Sequence, residues 1–290
     1  SVRIRVGHME INYGDQHFRR TDNGNALYNP FVGNYIMDAF NTEIGAEIYY
    51  LKKNIIGMVG ITGGEIKGDI AEVPDLPNDE KAKRSPTILG KVGFDNGLSG
   101  APAGKVRFRV TGSIYYTASS SRNFLYAGDR GGSRYYLVME LADASAGSNF
   151  RSGRYNPGYL DEVTAFQINP FVKFGGLEFF GALEFASGKS QFEPDKRSSM
   201  QMAGEVIYRF GAKENVYLGA RYNTITSEDG DAVDDKIGID RLSFAAGWFI
   251  TRNIVLKAEY VNQNYKDFVE TSQFHEVKFN VLVIEAVVGF

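Results

Sequence analysis

The chain has 290 residues, no cysteine and a formal net charge of -3, which excludes disulfides, thiol catalysis and cysteine-held metals and disfavours nucleic acid as a partner. Its 17 tyrosines, 21 phenylalanines and 33 glycines, against only 8 prolines, favour aromatic-rich strands joined by tight turns. No stretch approaches the roughly 18 consecutive apolar residues of a membrane-spanning helix. This excludes helical membrane proteins but leaves strands that are apolar only at every second position.

Apolar and polar side chains alternate along most of the chain. Phe108 and Val110 share one face of a predicted strand, for example, whereas Arg107 and Arg109 share the other. The pattern predicts an all-β protein with thirteen antiparallel strands. They cover residues 2–9, 42–51, 54–63, 87–94, 105–116, 134–141, 163–174, 177–186, 200–210, 216–225, 239–250, 254–261 and 277–290.

An odd strand count does not fit a closed up-and-down barrel. Strand directions counted forward from residue 52 and backward from residue 290 also disagree between residues 117 and 160. We therefore expect an extra strand, at 122–127 or within 149–159, which gives about fourteen, or sixteen if strands precede Ser1.

The connections distinguish a barrel from a soluble β-sandwich, which also alternates. Short links at 175–176, 211–214 and 251–253 are separated by longer polar links at 188–197, 227–236 and 265–274. This rhythm is typical of barrels with short periplasmic turns and long external loops.

The final residues place Leu282, Ile284, Ala286 and Val288 on one face and end on Phe290. This resembles the C-terminal signature by which outer-membrane barrels are recognised, which implies the barrel-assembly machinery as a partner. We predict a single transmembrane β-barrel domain over residues 1–290, in the bacterial outer membrane, exported with a signal peptide that is then removed.

Residues 14–40 depart from alternation and are too long for a simple hairpin. Their aromatic content indicates an ordered segment. We expect it to fold into or over the barrel mouth, with Arg19 and Arg20 near the solute path; a cap on neighbouring loops or on a partner protein is the alternative.

The side chains opposite the apolar face are expected to line a polar, water-filled lumen. They indicate a mild preference for anions, unless acids and bases neutralise one another across strands. The lumen and constriction candidates are Arg19, Arg20, Lys105, Arg107, Arg109, Arg134, Glu205, Arg209, Arg221, Lys257 and Glu259. The aromatic residues expected to anchor the barrel at the membrane interfaces are Tyr208, Phe210, Tyr222, Trp248, Tyr260 and Phe290.

No enzyme is predicted. His8, His17 and His275 lack metal-ligand spacing, and nothing pairs one of them with a nucleophilic serine. The acidic loop 227–235 lacks a calcium-binding spacing and is interpreted as a solvated surface. No catalytic residue, metal or cofactor is expected.

The run VRIRVGHMEINYGDQHFRR, followed by regular hairpins, resembles the phosphate-selective porin O and P-like barrels. The resemblance implies passive diffusion of small hydrophilic solutes, anions among them, with Arg19, Arg20, Arg107 and Arg109 at matching positions. Membrane lipid, lipopolysaccharide and small solutes are the expected partners, and a homo-oligomer is left open. The alternative is an accessory barrel with a plugged lumen that docks partner proteins in a larger assembly.

Overall fold

The computed structural model describes residues 1–21, 25–64, 84–98, 100, 106–128, 134–145, 147, 149 and 151–289. These residues form twelve strands and one single-turn 3₁₀ helix, Gln16–Arg19. The strands are β1 Val2–Glu10, β2 Thr42–Lys52, β3 Ile55–Thr62, β4 Thr87–Asp95, β5 Arg107–Thr117, β6 Glu162–Phe174, β7 Leu177–Lys189, β8 Arg197–Phe210, β9 Val216–Glu228, β10 Lys236–Thr251, β11 Ile254–Lys266 and β12 Lys278–Val288.

All twelve strands lie in one antiparallel sheet, in which each strand pairs with the next in sequence. Within the described residues, β1 pairs only with β2 and β12 only with β11, so the sheet has two unpaired edges. The up-and-down order agrees with the sequence prediction. A closed barrel of fourteen or sixteen strands stays a prediction.

The predicted strand at 134–141 is wrong, because this stretch consists of turns. Leu137 has a φ of 52°, which interrupts an extended chain, and Tyr135 is buried at 2% exposure. Residues 122–127 and the described part of 149–159 also form no strand. Removing one strand from thirteen restores consistent directions, so the extra strand is not needed to resolve the conflict.

The two faces of the sheet differ in chemistry. On β10, Arg241 lies between Asn223 and Gln263 of the neighbouring strands, on the buried face. The outward face carries apolar side chains from Leu242 to Ile250. Eight residue steps of about 3.3 Å, tilted by roughly 40°, give an apolar band about 20 Å tall. Among the described residues, no helix is long and apolar enough to cross a membrane.

The sheet curls around residues 11–41, which we call the inner segment. Side chains of β2 and of β4 through β11 form hydrogen bonds or ion pairs with it. Phe31, Tyr35, Ile36 and Met37 of this segment are completely buried. The inward face of the sheet therefore packs against polypeptide over most of its width.

Candidate functional site

The backbone of the inner segment is bound by side chains of the sheet. The N–H groups of Val32 and Gly33 donate to one Glu259 carboxylate oxygen at 2.8 and 2.6 Å. Arg221 donates to the Gly33 carbonyl at 2.8 Å, and Arg241 donates to the Asn34 carbonyl at 2.7 Å. An irregular segment has no ladder of its own, so these side chains satisfy its buried backbone groups.

The same pattern continues at the next two strands. Asn223 accepts from the Ile36 N–H at 2.8 Å, and Gln201 both accepts from the Met37 N–H and donates to the Met37 carbonyl. All five side chains, from Gln201 on β8 to Glu259 on β11, are at most 1% exposed. The stretch 32–37 is thus held in place by main-chain recognition from four adjacent strands.

Glu205 is the centre of the charge pairing. It accepts from Arg19 Nε at 2.9 Å, from Arg221 Nε at 2.8 Å and from the Tyr35 hydroxyl. Burial raises the pKa of Tyr35, and the Glu205 charge raises it further, so the hydroxyl stays protonated and donates. Arg19 also donates to Glu178. We call Glu205, Arg221, Arg241, Glu259 and Tyr35 the buried network.

Two further predicted lumen residues join the inner segment from other sides. Lys257 donates to the Ala26 and Phe31 carbonyls at 2.9 and 3.3 Å and pairs with Glu285. Arg20 forms a buried ion pair with Asp38.

The expectation that the predicted lumen residues face water is therefore wrong for part of the set. The residues at 0–1% exposure are Arg20, Glu205, Arg221, Lys257 and Glu259. Arg134 donates to the Thr21 carbonyl, and Arg209 pairs with Glu178 at 3.5 Å while it stacks over Tyr217. Lys105 lies outside the described residues.

A different environment surrounds Arg19, Arg107 and Arg109, which the structure brings together. They line an open cavity of about 330 Å³ beside the short link between β6 and β7, the basic pocket. The other lining residues are Asp15, Phe18, Phe171 and Phe180. The side chains of Arg107 and Arg109 are 47% and 22% exposed.

Acidic side chains hold the arginines of the basic pocket in place. Arg109 donates from two nitrogens to Asp15 at 2.9 and 3.1 Å, whereas Arg107 makes one contact with Asp95 at 3.1 Å. Burial alone would raise the pKa of Asp15, but Lys91 and Arg109 hold it well below its usual range. Asp15 therefore stays ionised and fixes the guanidinium of Arg109.

His17 lies on the 3₁₀ helix next to the basic pocket. Its Nδ1 is 2.5 Å from a Glu10 carboxylate oxygen, and its Nε2 is 3.2 Å from the Asn12 side-chain oxygen. Burial lowers the pKa of His17 in spite of Glu10, with a further lowering by Lys91. The ring is therefore neutral near pH 7.

Sequence reasoning missed several residues that bind the inner segment. Gln201, Asn223 and Asn169 were not candidates because they carry no charge, although uncharged amides in the middle of polar faces were a usable signal. The alternation of its strand places Glu184 on the inward face, and in the structure Glu184 accepts hydrogen bonds from the hydroxyls of Tyr13 and Tyr126. Within the described residues, no three histidine, aspartate or glutamate side chains form a group that suits a metal ion.

The described residues of the predicted interfacial set lie on the outward face and are 41–51% exposed. Tyr208, Phe210 and Trp248 lie near short links. Tyr222 and Tyr260 lie at the other edge of the apolar band and donate to Asp240 and Asn280. Phe290 falls outside the described residues. The anchoring role of these residues stays a prediction.

No family model matches the chain, and no curated protein matches it. Solved structures do match. The outer-membrane-expressed OmpT of Vibrio cholerae superposes with a TM-score of 0.54 at 12% identity, over 99% of this chain and 76% of that chain. The in-vitro folded OmpT of Vibrio cholerae gives 0.52 at 11% identity, over 98% and 75%.

The chain therefore has the fold of an outer-membrane β-barrel protein. At this identity the likeness concerns the fold alone. The resemblance to phosphate-selective porins O and P stays a prediction.

Proposed function

We propose that this protein is an outer-membrane channel that passes small hydrophilic solutes through a lumen narrowed by the inner segment. One observation carries the proposal: a sheet that is apolar outside and charged inside curls around a segment that it binds through the backbone. Charged side chains are costly to bury in the core of a soluble protein, but they suit the wall of a barrel that borders a polar path.

The outward face supports the membrane location. Its apolar band of about 20 Å is close to the roughly 25 Å band of outer-membrane barrels. Tyr208 and Trp248 on one edge, with Tyr222 and Tyr260 on the other, suit two interfacial girdles. Lipid and lipopolysaccharide would cover this band, after export with a cleaved signal peptide and insertion by the barrel-assembly machinery.

The basic pocket supports a preference for anions. Arg107 is nearly half exposed and has one acidic contact among the described residues, so its positive charge reaches the solvent at one mouth of the interior. The buried network contributes little to this field, because its two arginines and two glutamates are buried and their charges sum to zero. The proposed solute path begins at Arg107 and Arg109 and passes beside the inner segment. No reaction is proposed.

A second candidate function follows from the depth of burial of the inner segment. If Phe31, Tyr35 and Met37 remain buried in the membrane, the lumen is closed and the long loops would dock a partner protein. This accessory barrel would differ from the channel in two ways: it would not conduct, and it would bind a partner protein.

Reconstitution in planar lipid bilayers separates the two functions. A channel gives reproducible unitary conductance, which rises severalfold when residues 16–37 are replaced by a short Gly-Ser linker. A replacement of the external loop 190–196 by the same linker is the matched control and leaves conductance unchanged. A membrane that stays sealed, with a stoichiometric partner in the purified material, would select the accessory barrel.

A further inference from the structure

Phenylalanines give the basic pocket an apolar part beside its arginines. Phe171 and Phe180 are direct neighbours across β6 and β7. In the same row of inward side chains, Arg109 and Glu205 flank them on the next strands. The 3₁₀ helix contributes Phe18, which is 50% exposed. The pocket therefore offers aromatic surface to solvent next to charged side chains, which is a combination found in ligand sites.

The charges in direct contact around the pocket do not balance. Lys91 and Arg109 both contact Asp15, at 2.7 and 2.9 Å. Arg107 and Arg109 both contact Asp95, at 3.1 and 3.3 Å. Three cations thus share two carboxylates. One positive charge is left over, and a ligand with one negative charge would balance it.

Arg107 has the donors that a ligand can use. Among the described residues, its guanidinium donates only from Nη2, to Asp95. Arg19 and Arg109 instead direct all of their side-chain nitrogens to acids. Arg107 is also the most exposed of the three arginines. Its guanidinium can therefore bind a carboxylate through two parallel hydrogen bonds.

The size and the walls of the pocket favour a ligand with a single ring. Its volume of about 330 Å³ lies at the lower end of the range for small-molecule sites. An aromatic ring gains free energy from contact with Phe18 and Phe171, whereas inorganic phosphate gains nothing from them.

We propose that the basic pocket binds small aromatic carboxylates, with the carboxylate on Arg107 and the ring against Phe18 and Phe171. The inference rests on the proposed channel function and deepens it, because it names the class of solute that binds at this mouth. The pocket thereby differs from a site for inorganic phosphate, which would be bound by charge alone.

Isothermal titration calorimetry of the purified protein in detergent tests the proposal with probes that separate the ring from the charge. Benzoate has both, acetate has only the carboxylate, benzamide has only the ring, and inorganic phosphate has charge without a ring. Benzoate should bind at least about tenfold more tightly than each of the others, because it alone uses both parts of the pocket. Equal affinities for benzoate and acetate, or tighter binding of phosphate, would overturn the proposal.

Substitutions then locate the site. Arg107→Ser should weaken benzoate binding to the level of benzamide, and Phe171→Ala should weaken it to the level of acetate. Phe249→Ala is the matched control, because Phe249 packs against Tyr217 beside another short link, and it should leave benzoate binding unchanged. Equal losses in Phe171→Ala and in the control would overturn the assignment to this pocket.

A failure of the site differs from a failure of the channel. A protein that conducts in planar bilayers but does not prefer benzoate to acetate overturns the aromatic-carboxylate site and leaves the channel standing. A protein that binds benzoate as expected but leaves the bilayer sealed supports the site and rejects the channel.

Discussion

The buried network and the basic pocket use the same residue types for different ends. In the network, Arg221 is 1% exposed and donates to Glu205 and to the Gly33 carbonyl, so it holds the inner segment and has no contact with solvent. In the pocket, Arg107 is nearly half exposed and contacts one acid, Asp95, in the part of the chain that the structure describes. The difference teaches that an inward arginine belongs to the solute path only where its guanidinium keeps contact with water.

The largest effect is expected from Glu205→Ala, which breaks the buried network at its centre. The substitution leaves Arg221 as an unpaired buried cation, whereas Arg19 keeps Glu178, and an unpaired buried charge costs about 3–5 kcal/mol. The free energy of unfolding should fall by that amount. It can be measured by a urea titration in detergent, in which unheated gel samples separate the folded from the unfolded protein.

The matched control is Glu193→Ala, which removes an acid from a partly exposed ion pair with Arg197 near an external loop. It should cost less than about 1 kcal/mol. Equal losses for the two variants would mean that Glu205 is solvated and that the network is not buried in solution.

The next effect is expected from Gly33→Ala, in the stretch that the sheet binds. A Cβ atom at Gly33 would lie 1.8 Å from the Tyr135 hydroxyl oxygen, so the backbone or the tyrosine must move. Overpacking of this kind costs about 1–3 kcal/mol, and the shift also weakens the bonds to Glu259 and Arg221. Urea titration measures the stability, and bilayer recording should show more frequent openings.

Two further variants isolate the cause. Gly230→Ala, in an external loop with nothing near the added Cβ, should change neither property. Tyr135→Ala should cost less in the Gly33→Ala background than alone, since the clash is relieved; additive losses would contradict the contact.

A small stability effect with a large electrical effect is expected from Arg107→Ser. Loss of one exposed contact costs less than about 1 kcal/mol. Loss of its charge at the mouth should move the reversal potential in a salt gradient toward cation preference. Lys236→Ser, an exposed cation on the opposite end of the sheet, is the control. An unchanged potential would remove the basic pocket from the proposed path.

The smallest effect is expected on the pH dependence of stability, through His17. Burial holds the pKa of His17 below its unfolded value of about 6.5, so the unfolded chain binds more protons. The free energy of unfolding should therefore fall as the pH drops through about 6.5. Burial has the largest effect on the pKa of His17, while Glu10 raises this pKa and Lys91 lowers it.

The stability of His17→Gln should rise relative to that of the wild type as the pH falls from 7.5 to 5.5, as urea titrations of both proteins at each pH would reveal. The carboxyl of Asp15 titrates well below this window, so it does not confound the comparison. A stability difference between the two proteins that does not change with pH would show that His17 does not titrate as expected.

The strands were largely predictable because alternation is a local signal. The antiparallel order also followed from the link lengths, and the outward placement of Tyr208 and Trp248 followed from parity. The stretch 134–141 misled the prediction because a segment packed against the sheet can alternate by accident. There Tyr135 is buried because its hydroxyl reaches Glu259, which lies 124 residues away in sequence.

The candidate site was predictable in its members but not in their surroundings. Parity placed Arg221 and Glu259 on the polar face, and the structure agrees. Their burial depends on where residues 32–37 lie, and no periodicity encodes that. The structure adds that Arg19, Arg107 and Arg109 line one cavity, in which the side chains of Arg107 and Arg109 keep contact with solvent.

The bonds that hold residues 32–37 also constrain how the molecule is made. They join this stretch to positions 164 to 227 residues later in the chain. Because synthesis runs from the N-terminus, the inner segment is made first and strands β8 to β11, which bind it, are made much later. The enclosing strands must therefore assemble around material already in position, and these long-range contacts can form only in the closing stage of folding.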